Sequence, residues 1–193
     1  MPLILASGSA IRSKMLKDAG VAHIAVRPDV DEASVKARLS SADSIAGELA
    51  RSKSLAVSSS RSADWVIGSD SVVTVGNRIF DKPRDRSEAA EHLRLFSGMP
   101  MVLTSAVALA CEDECHWLHV DHARLKVRLL SDTFIEQYLD SEWPEVGYCV
   151  GVFRMEGRGV QLFESVDGSH FTILGMPLIP LLGALRERGI VPS

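Results

Sequence analysis

Residues 2–20, PLILASGSAIRSKMLKDAG, decide how the rest of this chain is interpreted. Residues 3–6 are apolar and predict a short strand, and Ser7-Gly8-Ser9 predicts a tight turn. Apolar residues then recur at near-helical spacing until a glycine ends the pattern: Ile11, Met15, Leu16, Ala19 and Gly20. The opening stretch therefore predicts a strand, a turn and a helix, in that order.

The start of this predicted helix has the composition of an anion-binding site. Ser9 is the predicted N-cap, Ser7 adds a second hydroxyl, and Gly8 lets a ligand approach the backbone closely. Arg12 lies in the first turn, where unpaired N–H groups and the helix dipole already favour negative charge. The stretch predicts a phosphate site; the alternative is an ordinary capped helix after an ordinary strand.

Composition limits the class of protein. The chain has 193 residues, of which 46% are hydrophobic and 24% charged, enough for one domain or two closely joined lobes. A net charge of −4 argues against a general nucleic-acid binder. The sequence shows neither a signal-peptide pattern nor a membrane-spanning run, and its three cysteines are scattered, so we expect a cytoplasmic protein with reduced thiols.

The remaining pattern mixes strands with helices and predicts an α/β or α+β chain around a mixed sheet. Predicted helix caps include Asp43 or Ser44 and Ser87. The segments 101–111 and 117–130 predict a long hairpin, and 160–166 and 171–174 predict a second one. We expect a single domain over 1–193, with a division into two lobes near residues 85 and 170. The lobes would be 1–85 with 170–193, and 86–169.

Three charged residues break the local patterns. Asp70 lies inside the apolar run VIGSDSVV, Lys53 shares a helical stripe with Ile45 and Leu49, and Lys82 lies between Asp81 and Pro83. A carboxylate in such a strand is costly to bury unless it is paired or binds a cation. These residues are therefore candidate site residues; the alternative is a buried ion pair between Asp70 and a lysine, with no further role.

The acidic pair Asp31-Glu32 adds a candidate metal ligand. Mg²⁺ in proteins commonly takes one or two carboxylates together with substrate phosphates. Glu32 and Asp70 would supply the carboxylates, while Arg12, Lys53 and Lys82 would neutralise phosphate oxygens. This set predicts metal-assisted attack of water on a phosphoryl group.

Seven short motifs carry a resemblance to a known family over nearly the whole chain. They are LILASGSAIR at 3–12, VDE at 30–32, LARSK at 49–53, IGSDSV at 67–72, DKP at 81–83, MEG at 155–157 and LGMPL at 174–178. Each motif is weak alone, but all seven occur in order and at family spacing. The chain resembles the Maf family of nucleoside triphosphate pyrophosphatases.

That resemblance implies an elongated mixed sheet flanked by helices, a Maf- or ITPase-like fold with two lobes and a central cleft. It implies a cytoplasmic, often dimeric hydrolase that cleaves a nucleoside triphosphate between its α and β phosphates with Mg²⁺, Mn²⁺ or Co²⁺. The expected roles are catalysis by Asp70, Lys82, Lys53 and Glu32, metal binding by Glu32 and Asp70, and phosphate binding by Ser7, Ser9, Arg12, Lys53 and Lys82. The family name is also attached to septum formation.

Departures from the family motifs bear on the nucleobase. Ala10 and Ile11 replace the usual proline and first arginine of the opening turn, and Ser71 follows Asp70. Glu156 is similar to the branch that acts on 7-methyl-GTP, where a carboxylate would accept hydrogen bonds from the guanine edge. Ile11, Ser71 and Glu156 are thus the predicted specificity residues. The alternatives are a dTTP- or UTP-preferring relative, a nucleotidyltransferase, and a non-catalytic nucleotide-binding regulator.

Overall fold

The computed structural model describes residues 2–61 and 63–192. The strands are β1 (Leu3–Ala6), β2 (Ile24–Val26), β3 (Trp65–Val75), β4 (Arg78–Phe80), β5 (Pro100–Cys111), β6 (Glu114–Val127) and β7 (Phe163–Asp167). They form a seven-stranded mixed sheet in the order β2-β1-β3-β5-β6-β7, with β4 paired to β3. The predicted fold class, a mixed sheet with helices, is confirmed.

The helices are α1 (Ala10–Asp18), α2 (Glu32–Arg38), α3 (Ala42–Ser58), α4 (Arg86–Phe96), α5 (Asp132–Glu142), α6 (His170–Ile173) and α7 (Leu178–Glu187). Single 3₁₀ segments span Glu145–Tyr148 and Arg158–Leu162. No helix within 2–61 and 63–192 is both long and apolar enough to cross a membrane.

Two predicted helix caps are wrong by a few residues. Ser41, not Asp43 or Ser44, caps α3, because its side chain accepts from the Ser44 N–H. Asp85, not Ser87, caps α4, and its carboxylate accepts from the Glu88 N–H at 2.9 Å. In both cases the capping oxygen lies three residues before the N–H that it binds, which is the usual capping geometry.

The predicted second hairpin is also wrong. Residues Arg158–Leu162 form a 3₁₀ turn, and only Phe163–Asp167 form a strand. This strand pairs antiparallel with β6, with Leu125 opposite Val166, so its partner comes from earlier in the chain. The segment after Gly168 forms α6, which buries Thr172 and Ile173.

The chain divides into two compact units. The first comprises the described residues of 1–71, 104–121 and 169–193, and the second comprises 72–103 and 122–168. Compared with the predicted lobes, the first unit gains 104–121 and loses 72–85.

In the first unit, β1 is buried on both faces. Leu3 and Leu5 pack in a cluster with Ile67 and with residues of α1 and α7, whereas Ile4 and Ala6 pack in a second cluster. A parallel strand covered on both faces reads as a continuous apolar run, which explains the sequence LILA. Helices on both faces thereby fix β1 and the turn that follows it.

The register of β1 determines which part of β3 is left beside the opening turn. Both strands run parallel, and the last register pair is Ala6 with Gly68. β1 ends there, whereas β3 continues to Val75. Asp70 therefore lies two residues beyond the end of β1, on the part of β3 that the start of α1 can reach.

In the second unit, α4 and α5 pack against each other. Their apolar residues Leu93, Phe96, Ile135 and Leu139 are almost fully buried. Arg86 and Arg94 of α4 form ion pairs with acidic residues of α5 on the exposed side of this helix pair.

Candidate active site

Lys53 joins two carboxylates that come from different segments of the first unit. Its Nζ lies 2.6 Å from Asp70 Oδ1 and 2.7 Å from Glu32 Oε1. The side chains of Lys53 and Asp70 are 11% and 12% exposed, whereas that of Glu32 is 46% exposed. The triad is thus buried at one end and open at the other, and it carries a formal charge of −1.

The position of Lys53 follows from the apolar stripe of α3. Ile45, Leu49, Lys53 and Val57 recur every four residues and all are buried, so this face of the helix is turned inward. Lysine is accepted in that stripe because its ammonium meets two carboxylates, which offset the cost of removing it from water.

Gly68 lets α3 approach β3 closely enough for this contact. A Cβ at position 68 would lie 2.0 Å from the Ala50 carbonyl oxygen and 2.6 Å from the Ser54 nitrogen. Ala50 and Ser54 flank Lys53 on α3, and Asp70 lies two residues after Gly68 on β3. The missing side chain therefore brings the lysine and the aspartate within hydrogen-bond distance.

Arg12 reaches the same part of β3 from the first turn of α1. Its Nη1 donates to the Ser69 carbonyl at 2.9 Å, its Nη2 to Ser71 Oγ at 3.2 Å, and its Nε to the Gly175 carbonyl at 2.9 Å. Burial lowers the pKa of Arg12, and the charges of Asp70 and Glu32 partly offset that effect. Three of its five N–H groups are therefore bound to acceptors within the described part of the chain.

The opening turn keeps the features of an anion-binding loop. Ser7 is 7% exposed and its Oγ accepts from the Ser9 N–H at 3.1 Å. Ser9 occupies the N-cap position of α1, but its side chain makes no capping bond to the described residues. A Cβ on Gly8 would have no other atom of the described residues within 4 Å, apart from its chain neighbours, so the backbone there is open to a ligand. Ile11 follows, partly buried, in the first turn of α1.

Lys82 and Glu156 belong to the second unit, whereas the Lys53 triad belongs to the first. The roles of Lys82 and Glu156 in substrate binding stay predictions. Lys82 is exposed after β4. Glu156 Oε1 lies 3.8 Å from Arg154 Nε, which makes a loose ion pair. Burial raises the pKa of Cys149 to about 11, and the positive charges of Lys82 and Arg154 oppose that shift.

Ser71 is a predicted specificity residue, but the hydroxyl network behind it was not predicted from the sequence. Ser105 Oγ donates to the Thr172 carbonyl at 2.8 Å and lies 2.9 Å from Ser71 Oγ. Thr172 Oγ1 donates to Asp121. A usable signal was the hydroxyl residues Ser69, Ser71 and Ser105 in otherwise apolar strands, because buried hydroxyls need partners.

Glu32 and Asp70 are chemically suited to a hard divalent cation. Both direct a carboxylate oxygen at Lys53 Nζ, so two oxygen atoms of the type that Mg²⁺ prefers converge on one point. Within the described ranges, no group of three or more His, Cys, Asp or Glu side chains is placed to hold a metal ion. Two carboxylates alone match a cation that takes its other ligands from phosphates and water.

The first unit also contains an open cavity of about 620 Å³. It lies between the start of β1, the segment after α1 and the end of α7, and none of the predicted site residues lines it. The described residues that line it include His23 and Arg186 but no carboxylate, so the cavity lacks the acidic groups that the predicted chemistry needs.

Comparisons with known proteins place the chain in a family. Residues 2–188 match the family model described as Maf-like protein. The chain is 42% identical to a 7-methyl-GTP pyrophosphatase of Rhizobium etli, covering 98% of this chain and 97% of that protein. It is 41% identical to a nucleoside triphosphate pyrophosphatase of Bradyrhizobium diazoefficiens, covering 98% and 95% respectively.

Among solved structures, the Staphylococcus aureus Ham1 protein superposes with a TM-score of 0.45 at 15% identity, covering 68% of this chain and 73% of that one. The family match is the stronger finding, because it covers nearly every described residue and includes the seven motifs. The chain therefore belongs to the Maf-like protein family, as its motifs predict.

Proposed function

We propose that this protein hydrolyses a nucleoside triphosphate between the α and β phosphates and releases a nucleoside monophosphate and pyrophosphate. The observation that carries the proposal is the Glu32–Lys53–Asp70 triad, which is buried on the protein side and open at Glu32. The names of the Rhizobium and Bradyrhizobium relatives support pyrophosphatase activity over the transferase and regulator alternatives.

Asp70 is the proposed general base. Its carboxylate would take a proton from the attacking water, while Lys53 keeps the carboxylate oriented and balances its charge. A base in this role must be held rigidly, and Asp70 lies within the apolar strand β3 with its carboxylate bound to Lys53 of α3. The alternative of a purely structural ion pair does not explain why a second carboxylate, Glu32, also binds Lys53.

Glu32 and Asp70 are the proposed ligands of a divalent cation, Mg²⁺, Mn²⁺ or Co²⁺. When bound, such a cation would neutralise phosphate charge and make water more acidic. The cation would enter the site past the half-exposed carboxylate of Glu32.

The triphosphate is proposed to bind at the start of α1. Ser7 and Ser9 would contribute hydroxyl and backbone N–H donors, and the helix dipole favours the negative charge. Lys53, Lys82 and the two remaining N–H groups of Arg12 are the proposed cationic contacts.

For the nucleobase, we propose 7-methylguanine. The support is the name of the Rhizobium etli relative and the carboxylate at Glu156, which would accept hydrogen bonds from the guanine edge. Ile11 and Ser71 are the other proposed specificity residues. A dTTP or UTP preference is the alternative within the family.

The deciding experiment is a panel of canonical and methylated nucleoside triphosphates, each assayed for pyrophosphate and monophosphate with Mg²⁺, Mn²⁺, Co²⁺ and chelator. The proposal expects release of both products with water as the only acceptor, and fastest release from 7-methyl-GTP. A product formed only with a second acceptor would identify a transferase. Tight binding without turnover under every metal condition would identify a regulator.

Homodimer formation and a cytoplasmic location are also proposed, because the family resemblance implies them. Light scattering coupled to size-exclusion chromatography measures the first, and cell fractionation the second. A mass equal to one chain, near 21.0 kDa, would contradict the dimer.

A further inference from the structure

The part of β3 that carries Asp70 lacks one of its neighbouring strands. The register pairs of β1 and β3 end at Gly68, one residue before Ser69. A strand carbonyl without a ladder partner needs another donor when it is removed from water. Arg12 Nη1 donates to the Ser69 carbonyl at 2.9 Å, so the guanidinium takes the place that a longer β1 would fill.

The Gly175 carbonyl ties the same guanidinium to the turn between α6 and α7. It accepts from Arg12 Nε at 2.9 Å, and the hydroxyls of Ser69 and Ser71 lie 3.0 Å and 3.1 Å from the same oxygen. Each hydroxyl has a single hydrogen and a second acceptor on β5. Among the described residues, the Gly175 carbonyl is the only acceptor of the Arg12 Nε–H, so this bond does not switch between acceptors as the hydroxyl bonds can.

These contacts flank Asp70 without touching its carboxylate. Side chains alternate along a strand, so Ser69 and Ser71 project from the face opposite to Asp70. Arg12 binds the backbone of the first and the hydroxyl of the second. Its guanidinium therefore fixes the strand on both sides of the residue whose carboxylate faces Lys53.

We propose that Arg12 is a positioning residue, which aims the Asp70 carboxylate by fixing residues 69 and 71, and that this role outweighs any contact with phosphate. The inference rests on the proposed function, in which Asp70 takes the proton of the attacking water. A lysine at position 12 keeps the positive charge but cannot bridge three acceptors. Small displacements of a reacting group reduce the chemical step far more than they reduce binding.

The experiment measures kcat for pyrophosphate release and Kd for α,β-methylene-GTP in Arg12→Lys, using the full chain with Mg²⁺. Positioning predicts that kcat falls by about 10²-fold, the scale for a displacement of about 1 Å. The Kd is expected to change by less than about threefold, because the charge is kept. Arg86→Lys, an exposed arginine with two carboxylate partners, is the matched control and should change neither quantity.

A double-mutant cycle with Ser71→Ala tests whether Arg12 acts through its neighbour. Ser71→Ala removes the acceptor of Nη2 and should lower kcat in the same direction, while Ser71→Thr keeps the hydroxyl and should restore it. Adding Ser71→Ala to Arg12→Lys should lower kcat only slightly further, because both changes break the same hydrogen-bond network. Should Arg12→Lys not fold, the Ser71 pair alone decides.

The outcomes separate the two proposals. A Kd weakened by about tenfold or more in Arg12→Lys, with kcat unchanged, assigns Arg12 to phosphate binding and overturns only this inference. An unchanged kcat in Ser71→Ala also overturns it. If the unaltered protein released no pyrophosphate from any nucleotide, the proposed function would fail and this inference with it.

Discussion

The two units use the same kinds of charged residue in opposite settings. In the first unit, Lys53 is 11% exposed and binds Glu32 and Asp70. In the second, Arg86 is 36% exposed and binds Glu136 and Asp140 at comparable distances of 2.7 Å and 2.6 Å. Distance alone therefore does not distinguish a site from a surface ion pair.

The burial of the side chains, and the elements from which they come, do distinguish the site from the surface ion pairs. The lysine triad joins α2, α3 and β3, and its lysine interrupts an apolar stripe, so the fold accepts a desolvation cost to assemble it. The arginine pairs join two helices that already pack through apolar faces. Exposed pairs of that kind contribute little to stability, because water and salt screen them. The contrast predicts that removing a charge from the lysine triad of the first unit has a large effect on activity and stability. Removing one from the arginine pairs of the second unit should have a small effect.

The largest effect is expected from Asp70→Asn. The amide keeps the size of the side chain but cannot accept the proton of water, so kcat should fall by about 10³-fold, within the range for general bases. Nucleotide binding, measured by calorimetry, should remain detectable. Asp140→Asn removes a carboxylate of the surface set and serves as the control. Full activity in Asp70→Asn rejects the assigned role.

Replacing Lys53 by methionine should weaken both activity and stability. Without the ammonium, Glu32 and Asp70 face each other with no cation between them. We expect the free energy of unfolding in urea to fall by about 1 to 3 kcal/mol, below the full cost of breaking a buried pair because Glu32 is half exposed. Added MgCl₂ should recover part of that loss if the two carboxylates bind a cation.

The control for this change is Lys126→Met, which breaks an exposed pair with Glu164. Its unfolding free energy should change by less than about 1 kcal/mol and should not respond to MgCl₂. If both variants lost the same free energy of unfolding, the buried triad and the exposed ion pair would not differ in their contribution to stability.

Cys149 gives the second unit a half-buried ionisable group of a different kind, whose thiol is kept protonated by partial desolvation. Burial raises its pKa from 9.0 to about 11. Above pH 9 the unfolded thiol ionises while the folded thiol stays protonated, so stability should fall as pH rises from 9 to 11. Two pKa units correspond to about 2 to 3 kcal/mol.

Urea unfolding at several pH values, compared between the unaltered protein and Cys149→Ser, measures this fall. Burial also raises the pKa of Tyr138, which acts in the same direction above pH 10, so the difference between the two proteins isolates the cysteine. Parallel pH profiles would show that the thiol does not contribute.

The smallest effect is expected from Arg86→Gln and Arg94→Gln. Each removes ion pairs on the exposed side of α4 and α5, so the urea midpoint of unfolding should stay close to that of the unaltered protein. Salt at 1 M should erase any remaining difference, because the Debye length is then about 3 Å. A loss of activity in either variant would mean that the surface set is not merely structural.

The sequence predicted those parts of the fold and site that depend on local pattern. The apolar run VIGSDSVV around Asp70 lies inside β3, and the stripe shared with Ile45 and Leu49 placed Lys53 on the buried face of α3. Each of these inferences needs only the periodicity of one element and the cost of burying a charge.

The parts that failed depend on pairing between distant residues. The Asp-Gly turn after Val166 looked like a hairpin, but the partner of β7 is β6, about 40 residues earlier in the chain. The contact between Arg12 and Gly175 spans 163 residues. It exists because β1 ends before β3 does, and strand register is not written in the pattern of either strand alone.

Gly68 sets a limit on how this protein can change over evolutionary or laboratory time. The neighbours of position 68 are the main-chain atoms of Ala50 and Ser54, and main chain cannot repack as a side chain can. Even a methyl group there would push α3 outward and carry its lysine with it. A mutagenesis library seeking new substrates should therefore hold this codon fixed and vary the opening turn, where Gly8 has free space around it.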